Sequence, residues 1–314
     1  MKIVSCAQNL YKIIKMKCNY KLLFIVPILL LFIKCHKSDS ATEQLRPYGE
    51  VYAEDIQEIE QFLDTHKMIV DANYNVSFEE ITDTNPGTPI SDHPDLQFKT
   101  INQNDVAYKL YYIKLREGIG ENPTRLDSVY TAYKGHKTDL TSFDSSPNPV
   151  WFQLEDLIQG WREIMPEFKI GTYVANSDGT FSFSDYGAGV MFIPSGLAYF
   201  NTGAGSIGSY TPIIFNFKLM NLKFKDHDRD KILSKDEYGP DFPTSYRDSD
   251  GDGIKDYLDV DDDNDGVLTK LELKTSTATL IQGINSSHYL YNTIPTCSGS
   301  TNGKPLHLDA ACHN

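Results

Sequence analysis

The sequence predicts an α+β protein: a mostly antiparallel sheet with one short helix, continued by an Asp-rich segment. Three observations lead there. Between residues 107 and 224, aromatic and β-branched runs with period-two alternation recur between turn signals, such as Ala107 to Leu115 and Val129 to Tyr133. Within that stretch only Leu154 to Glu163 suits a helix. Past Phe224 the composition turns abruptly to Asp. Strands in series with a single helix favour an antiparallel α+β sheet.

The elements follow in chain order. Residues 1–34 carry six Lys and no acidic residue, and Leu22 to Ile33 is an unbroken apolar run of twelve. That run is short for a bilayer span and fits the core of a secretory signal. Cys35 follows at once, then a polar stretch, so 35–50 reads as a tether. An apolar run ending in Cys resembles a Bacteroidetes-type lipoprotein signal, with Lys34 where a small residue is usual. The resemblance implies a lipid on Cys35, a membrane anchor, and a place in the cell envelope at the outer membrane. Residues 51–106 read as an N-terminal extension. Val51 to Met68 has helical spacing at Ile56, Ile59, Phe62 and Leu63, and Asp92 to Asn104 reads as a loop. Further strands are expected at Val190 to Ile193 and Ile213 to Leu222.

The whole chain has 43 acidic against 29 basic residues, net −14, and removing 1–34 leaves 23 basic residues and net −20. That balance argues against a nucleic-acid partner, which needs a basic face. After Cys35, only Cys297 and Cys312 remain, and an oxidising envelope permits their pairing.

Five fragments between 107 and 224 carry a family resemblance. They are Tyr133-Lys-Gly135, Phe143-Asp144-Ser-Ser146, Phe152-Gln-Leu154-Glu-Asp-Leu157-Ile158-Gln-Gly160-Trp161, Ile193-Pro-Ser-Gly-Leu-Ala-Tyr199, and Pro212-Ile-Ile-Phe215. Their order, spacing and residue types resemble the FKBP family of peptidyl-prolyl cis-trans isomerases. The resemblance implies a curved antiparallel sheet around a short helix, with an apolar pocket between them. It places Tyr133, Phe143, Asp144, Phe152, Leu157, Ile158, Trp161, Tyr199, Ile207 and Phe215 in that pocket, with Trp161 as its floor. It implies that the Ile158 N–H and the Tyr199 hydroxyl hold substrate carbonyls, that Asp144 stands beside the twisting bond, and that proline-containing polypeptides are the clients. No cofactor is implied for the step. Taken singly, each aromatic residue reads first as ordinary core; their joint match is what carries the resemblance.

The departures are local. About fifteen extra residues follow Gly171, with a turn at Asp178-Gly179; Phe200 stands where Gly is usual; and the flap reads Ile207-Gly208-Ser209. A non-catalytic FKBP-like module that grips peptides at the cell surface therefore stays open beside the enzyme.

Residues 226–272 hold 16 acidic and 6 basic residues. One frame occurs three times, with ligand positions 1, 3, 5, 9 and 12. The sets are Asp226, Asp228, Asp230, Ser234 and Glu237; Asp248, Asp250, Asp252, Asp256 and Asp259; and Asp261, Asp263, Asp265, Thr269 and Glu272. Gly253 and Gly266 hold position 6, where the first loop has Lys231. Alternating oxygen ligands around a tight turn suit Ca²⁺. The arrangement resembles thrombospondin type 3 or dockerin repeats and implies structural calcium, against the alternative of a solvated acidic linker. Residues 273–314 form a polar tail with no assigned element beyond its cysteine pair.

Overall fold

The computed structural model describes residues 45–242, 245–281, 284–297, 299–300 and 303–312. The signal segment 1–34 and Cys35 lie outside the described residues.

The first helix, α1, runs Tyr48–Thr65, directly after Pro47. It buries Val51, Ile59, Phe62 and Leu63; of the positions expected from helical spacing, Ile56 is only half-buried, and Asp55 is buried beside it. The helix stops three residues earlier than its periodicity suggests. His66 turns extended, its ring stacks on Phe62 with centroids 4.1 Å apart, and strand β1 (His66–Val70) begins. No Gly or Pro marks this end, so the sequence gives no stop signal there. β1 pairs antiparallel with β2 (Val76–Glu80), which sets Met68 opposite Phe78.

The main sheet has six strands. β3 (Leu96–Gln103) and β4 (Val106–Arg116) form its first hairpin. β5 (Ser128–Lys137) and β6 (Ser142–Gln153) form its second. The expected loop at 92–104 is therefore corrected: most of it is β3, a strand of the same sheet. β3 is an edge strand with a largely polar, exposed face, which left little alternation to read. A 3₁₀ turn at Leu154–Asp156 and helix α2 (Gln159–Ile164) replace the single helix expected at 154–163. β7 (Thr172–Ala175) and β8 (Phe181–Ser184) pair as a separate hairpin, which is the fifteen-residue insertion. β9 (Gly187–Ile193) and β10 (Ile213–Lys223) complete the sheet, in the order β3-β4-β9-β10-β5-β6, antiparallel throughout.

Both faces of this sheet are covered. Successive residues of a strand point to opposite faces. On β9 and β10, Met191, Ile193, Phe215 and Phe217 join the core beneath α2, with Trp161, Ile164, Met165 and Phe168. Val190, Phe192 and Ile214 point the other way, to α1 and the β1–β2 hairpin, against Ile59, Phe62 and Phe78. Coverage on both faces explains why Val190 to Ile193 is apolar without alternation.

The remaining chain carries the Asp-rich loops, a four-residue helix α3 (Thr269–Glu272), and a hairpin of β11 (Lys274–Ile281) and β12 (Ile284–His288). The tail is thus more structured than its polarity suggests. Leu306, His307, Leu308 and Cys312 are buried, and Cys297 and Cys312 form a disulfide with Cα atoms 5.7 Å apart. The Asp-rich segment packs on the sheet domain. Lys225 donates its N–H to Asp127 Oδ1 at 3.0 Å, and the Tyr238 hydroxyl reaches Thr124 Oγ1 at 2.5 Å.

Candidate functional site

All ten pocket residues named from the sequence line one cavity of about 370 Å³, together with Ala204, Gly205 and Ser206. Four elements and the loop between β9 and β10, which gives Tyr199 and Ile207, supply them. β5 gives Tyr133, and β6 gives Phe143, Asp144 and Phe152. The turn into α2 gives Leu157 and Ile158, and α2 itself gives Trp161. β10 gives Phe215. Because β6 is an edge strand, it accommodates Pro147 and Pro149, whose missing N–H groups would break a central ladder.

The floor is an edge-to-face aromatic cluster. Trp161, 4% exposed, lies 5.7 Å from Tyr133 and 5.2 Å from Phe215, centroid to centroid. Phe143 meets Phe215 edge-on at 5.3 Å. Gly135 makes this closure possible: it pairs with Phe215 on one side and Asp144 on the other, and a Cβ there would strike the Phe143 and Phe215 rings. Rings packed in this geometry contribute beyond their buried area.

The polar groups sit at the edge of that floor. The Tyr133 hydroxyl donates to Asp144 Oδ2 at 2.7 Å. Burial, and then this acceptor, hold the Tyr133 phenol protonated far above its ordinary range. Burial and the Asp144 charge likewise raise Tyr199. Both phenols therefore remain donors at neutral pH. The Ile158 N–H, just ahead of α2, makes no backbone hydrogen bond among the described residues. Ile207 closes the rim through a bridge with Ala204.

Sequence reasoning missed the support behind Tyr199. Asp55 of α1 is 2% exposed, and its Oδ2 accepts from both the N–H and the hydroxyl of Ser195, each at 2.7 Å. Burial pushes this carboxyl up to about 6. Phe200, where Gly is usual, adopts φ +42°, a region that penalises a side chain. Its ring stacks on Tyr48 of α1 at 4.0 Å and meets Tyr210 edge-on at 5.1 Å, contacts that offset the strain. An acidic residue on an amphipathic helix carries no sequence signal for such a role.

In the Asp-rich segment the structure gathers the carboxylates of Asp226, Asp228 and Asp230, of Asp248, Asp250 and Asp252, and of Asp261, Asp263 and Asp265, each set with ligand atoms within 4.8 Å. The local cause is a chain of Asx turns. Asp228 Oδ1 accepts the Asp230 N–H at 3.1 Å, and Asp230 Oδ1 accepts the Ile232 N–H at 2.7 Å. Asp250 and Asp252 do the same for Asp252 and Ile254. One oxygen thus fixes the turn and leaves the other to face inward. Position 6 has φ +94° at Lys231, +100° at Gly253 and +90° at Gly266, so the lysine bears a strain that the glycines do not.

The ninth positions behave differently. Ser234 Oγ accepts the His227 N–H at 3.3 Å, Asp256 Oδ1 the Ser249 N–H at 2.8 Å, and Thr269 Oγ1 the Asp262 N–H at 3.1 Å. Asp256 also accepts from Arg247 Nε at 2.5 Å. At the twelfth positions, Glu237 and Glu272 are buried outright and Asp259 is 9% exposed. Burial, and then neighbouring carboxylates, push Glu237 up to about 10 and Glu272 up to about 8.

Comparisons with known proteins divide along the same line. Over 120 residues the chain is 35% identical to a probable FKBP-type peptidyl-prolyl cis-trans isomerase, FkpA, of Neisseria meningitidis serogroup B, covering 37% of this chain and 39% of that protein. Over 137 residues it is 32% identical to the peptidyl-prolyl cis-trans isomerase Mip of Coxiella burnetii, covering 41% and 53%. The chain therefore spans about half, or less, of the length of these curated relatives. A solved structure of FkpA from Escherichia coli aligns with TM-score 0.34 at 27% identity, over 42% of this chain and 54% of that one. Residues 227–304 match a family model described as BamM C-terminal, a match that runs through the Asp-rich loops and into the tail. The chain thus joins a stretch similar to FKBP-type peptidyl-prolyl cis-trans isomerases to a C-terminal part similar to the BamM C-terminal family.

Proposed function

We propose that the pocket catalyses cis–trans isomerisation of X–Pro bonds in exported polypeptides, as a folding catalyst of the cell envelope. One observation carries the reading: an aromatic floor under Trp161, with the Tyr133–Asp144 pair and the Tyr199 hydroxyl at its edge. The amide barrier, about 18–20 kcal/mol, comes from resonance that twisting the bond destroys. Unaided, the reaction takes on the order of tens to hundreds of seconds. A pocket that binds planar and twisted forms equally leaves the bound rate unchanged, so catalysis requires preference for the twisted form. The dry floor disfavours the polar planar amide. The Tyr199 hydroxyl and the Ile158 N–H are donors for the flanking carbonyls, and Asp144 supplies an acceptor beside the twisting bond.

A protease-coupled assay with a prolyl peptide tests this. Wild type should accelerate isomerisation. Asp144→Ala and Tyr199→Phe should lower turnover roughly ten- to a hundredfold, the equivalent of losing about 1–3 kcal/mol of polar contact. Peptide binding without acceleration would instead mark a non-catalytic module, the reading that Phe200 and the Ile207-Gly208-Ser209 flap favour.

Two further parts complete the proposal. The Asp-rich segment binds Ca²⁺ as structural ions, a reading supported by three carboxylate sets whose oxygens lie within 4.8 Å of one another. Cys35 carries lipid that tethers the domain, and Cys35→Ser should release the protein from the membrane fraction.

A further inference from the structure

The side chain at the second position of each Asp-rich loop goes to a different place. The bond from its N–H to the ninth residue fixes where it points. His227 reaches out of the first loop, with its ring Nε2 3.2 Å from Glu155 Oε1. Ser249 turns back to Asp256 Oδ2 at 2.7 Å. Asp262 leaves the third loop altogether: its carboxylate lies within 4.8 Å of the ligand oxygens of Asp230 and Glu237, which belong to the first.

These three residues are each 1% exposed. Neither oxygen of Glu237, neither oxygen of Asp262, nor Oδ2 of Asp230 has a hydrogen-bond partner. Among the described residues, no Lys, Arg or His forms an ion pair with any of them. Asp226 Oδ1 and Asp228 Oδ2 are buried and unpartnered as well, and both belong to the set that contains Asp230. Two triads of carboxylates thus meet at Asp230, with no cation paired to them and with at least one buried oxygen of each of the five residues left without a partner. Burying charges without a partner is strongly unfavourable. A hard cation removes the cost, and oxygens that all lie within 4.8 Å of one another are close enough to share one ion at a Ca²⁺–oxygen distance of roughly 2.4 Å. An all-oxygen set excludes the sulfur and imidazole ligation that thiophilic metals prefer.

We infer that the first calcium site is composite: Asp226, Asp228, Asp230 and Glu237 hold the ion, and Asp262 from the third loop closes it. This rests on the calcium reading of the segment and extends it. One ion then staples the two ends of 226–272 together. Through His227 and Glu155, it also braces the turn that precedes the pocket residues Leu157 and Ile158.

Calorimetric titration of Ca²⁺ into cation-stripped full-length protein in detergent tests the inference. Wild type, Asp262→Asn, Glu237→Gln and the double variant are compared. Each single variant should lose one ion, or bind it on the order of tenfold or more weakly, because charge count sets affinity in such sites. The double variant should lose the same ion and no second one. Unchanged binding by Asp262→Asn, or loss of two ions by the double variant, overturns the composite site and leaves calcium binding standing. No binding by wild type overturns both. Melting supplies a reading that misfolding cannot mimic. In chelator, Asp262→Asn should melt no lower than wild type, since a buried unpaired charge has been removed. In saturating Ca²⁺ it should melt lower than wild type. A lower melting point in chelator as well marks Asp262 as merely structural and overturns the inference.

Discussion

The sheet domain and the Asp-rich segment bury side chains for opposite reasons. Beneath α2 the buried groups are Trp161, Ile164, Met165, Phe168, Ile193 and Phe217, all of which gain by leaving water. Each such side chain contributes about 1.5–3 kcal/mol. In residues 226–272 the groups most deeply buried include Asp230, Glu237, Asp256, Asp262 and Glu272, with Ile232 as a rare apolar member. Those carboxylates cost free energy on burial unless something neutralises them. One region therefore carries its stability in its own atoms. On the calcium binding proposed above, the other makes its stability a function of the solution.

Trp161→Ala is the harshest test of that contrast. It removes the pocket floor and a core residue together, and large-to-small changes of this kind cost about 3–5 kcal/mol. Urea unfolding followed by far-UV circular dichroism should show that loss in the sheet domain, while Ca²⁺ stoichiometry stays the same. Loss of Ca²⁺ sites in a variant whose sheet is still folded would mean that the two regions are not separable.

The second test acts on the tail. The disulfide between Cys297 and Cys312 closes a loop with a sequence separation of 15. Constraining a loop of that length stabilises by about 3 kcal/mol. Cys297→Ser with Cys312→Ser should therefore lower the melting of the C-terminal part and leave the prolyl assay unaltered. An equal drop in isomerase activity would show that the tail supports the pocket directly.

How much of this was legible in the sequence follows from what signals each element. The pocket side chains could be placed because aromatic residues in fixed order are rare, and the carboxylate loops because a twelve-residue frame repeats. β3 was not legible, since an edge strand such as Leu96–Gln103 needs only one lightly buried face. The end of α1 at Thr65 was hidden because His66 stops the helix through its own extended backbone, without Gly or Pro. Asp262 sits at a position of the repeat that normally holds no ligand. Only the folding of the third loop onto the first gives it a role, and that juxtaposition is tertiary. Asp55 is a similar case: its partner, Ser195, lies 140 residues away.

Asp55 supplies the mildest test, because it is a buried carboxylate inside the apolar region and so breaks the contrast from within. It accepts two hydrogen bonds from Ser195, yet burial outweighs them and holds its pKa up to about 6, with Glu58 and Glu54 adding to the rise. The unfolded chain should titrate near the ordinary Asp value of about 3.9. A folded pKa above the unfolded one means that the native state holds the proton more tightly. The stability that this group contributes is then complete below about pH 4 and is lost as pH rises through about 6. A shift of that size corresponds to at most about 3 kcal/mol, and about 1–3 kcal/mol is the expected loss across the window. Asp55→Asn keeps an acceptor for Ser195 but cannot ionise. Urea unfolding of the sheet domain, measured between pH 4 and 7 in saturating Ca²⁺ so that the ligand loops stay neutralised, should show the wild-type decline flattened in the variant. Parallel curves would mean that Asp55 is already ionised at pH 4, with the Ser195 bonds outweighing burial. The contrast between the two regions would then lose this internal exception, leaving the buried Asp127 and Glu163 of the sheet domain.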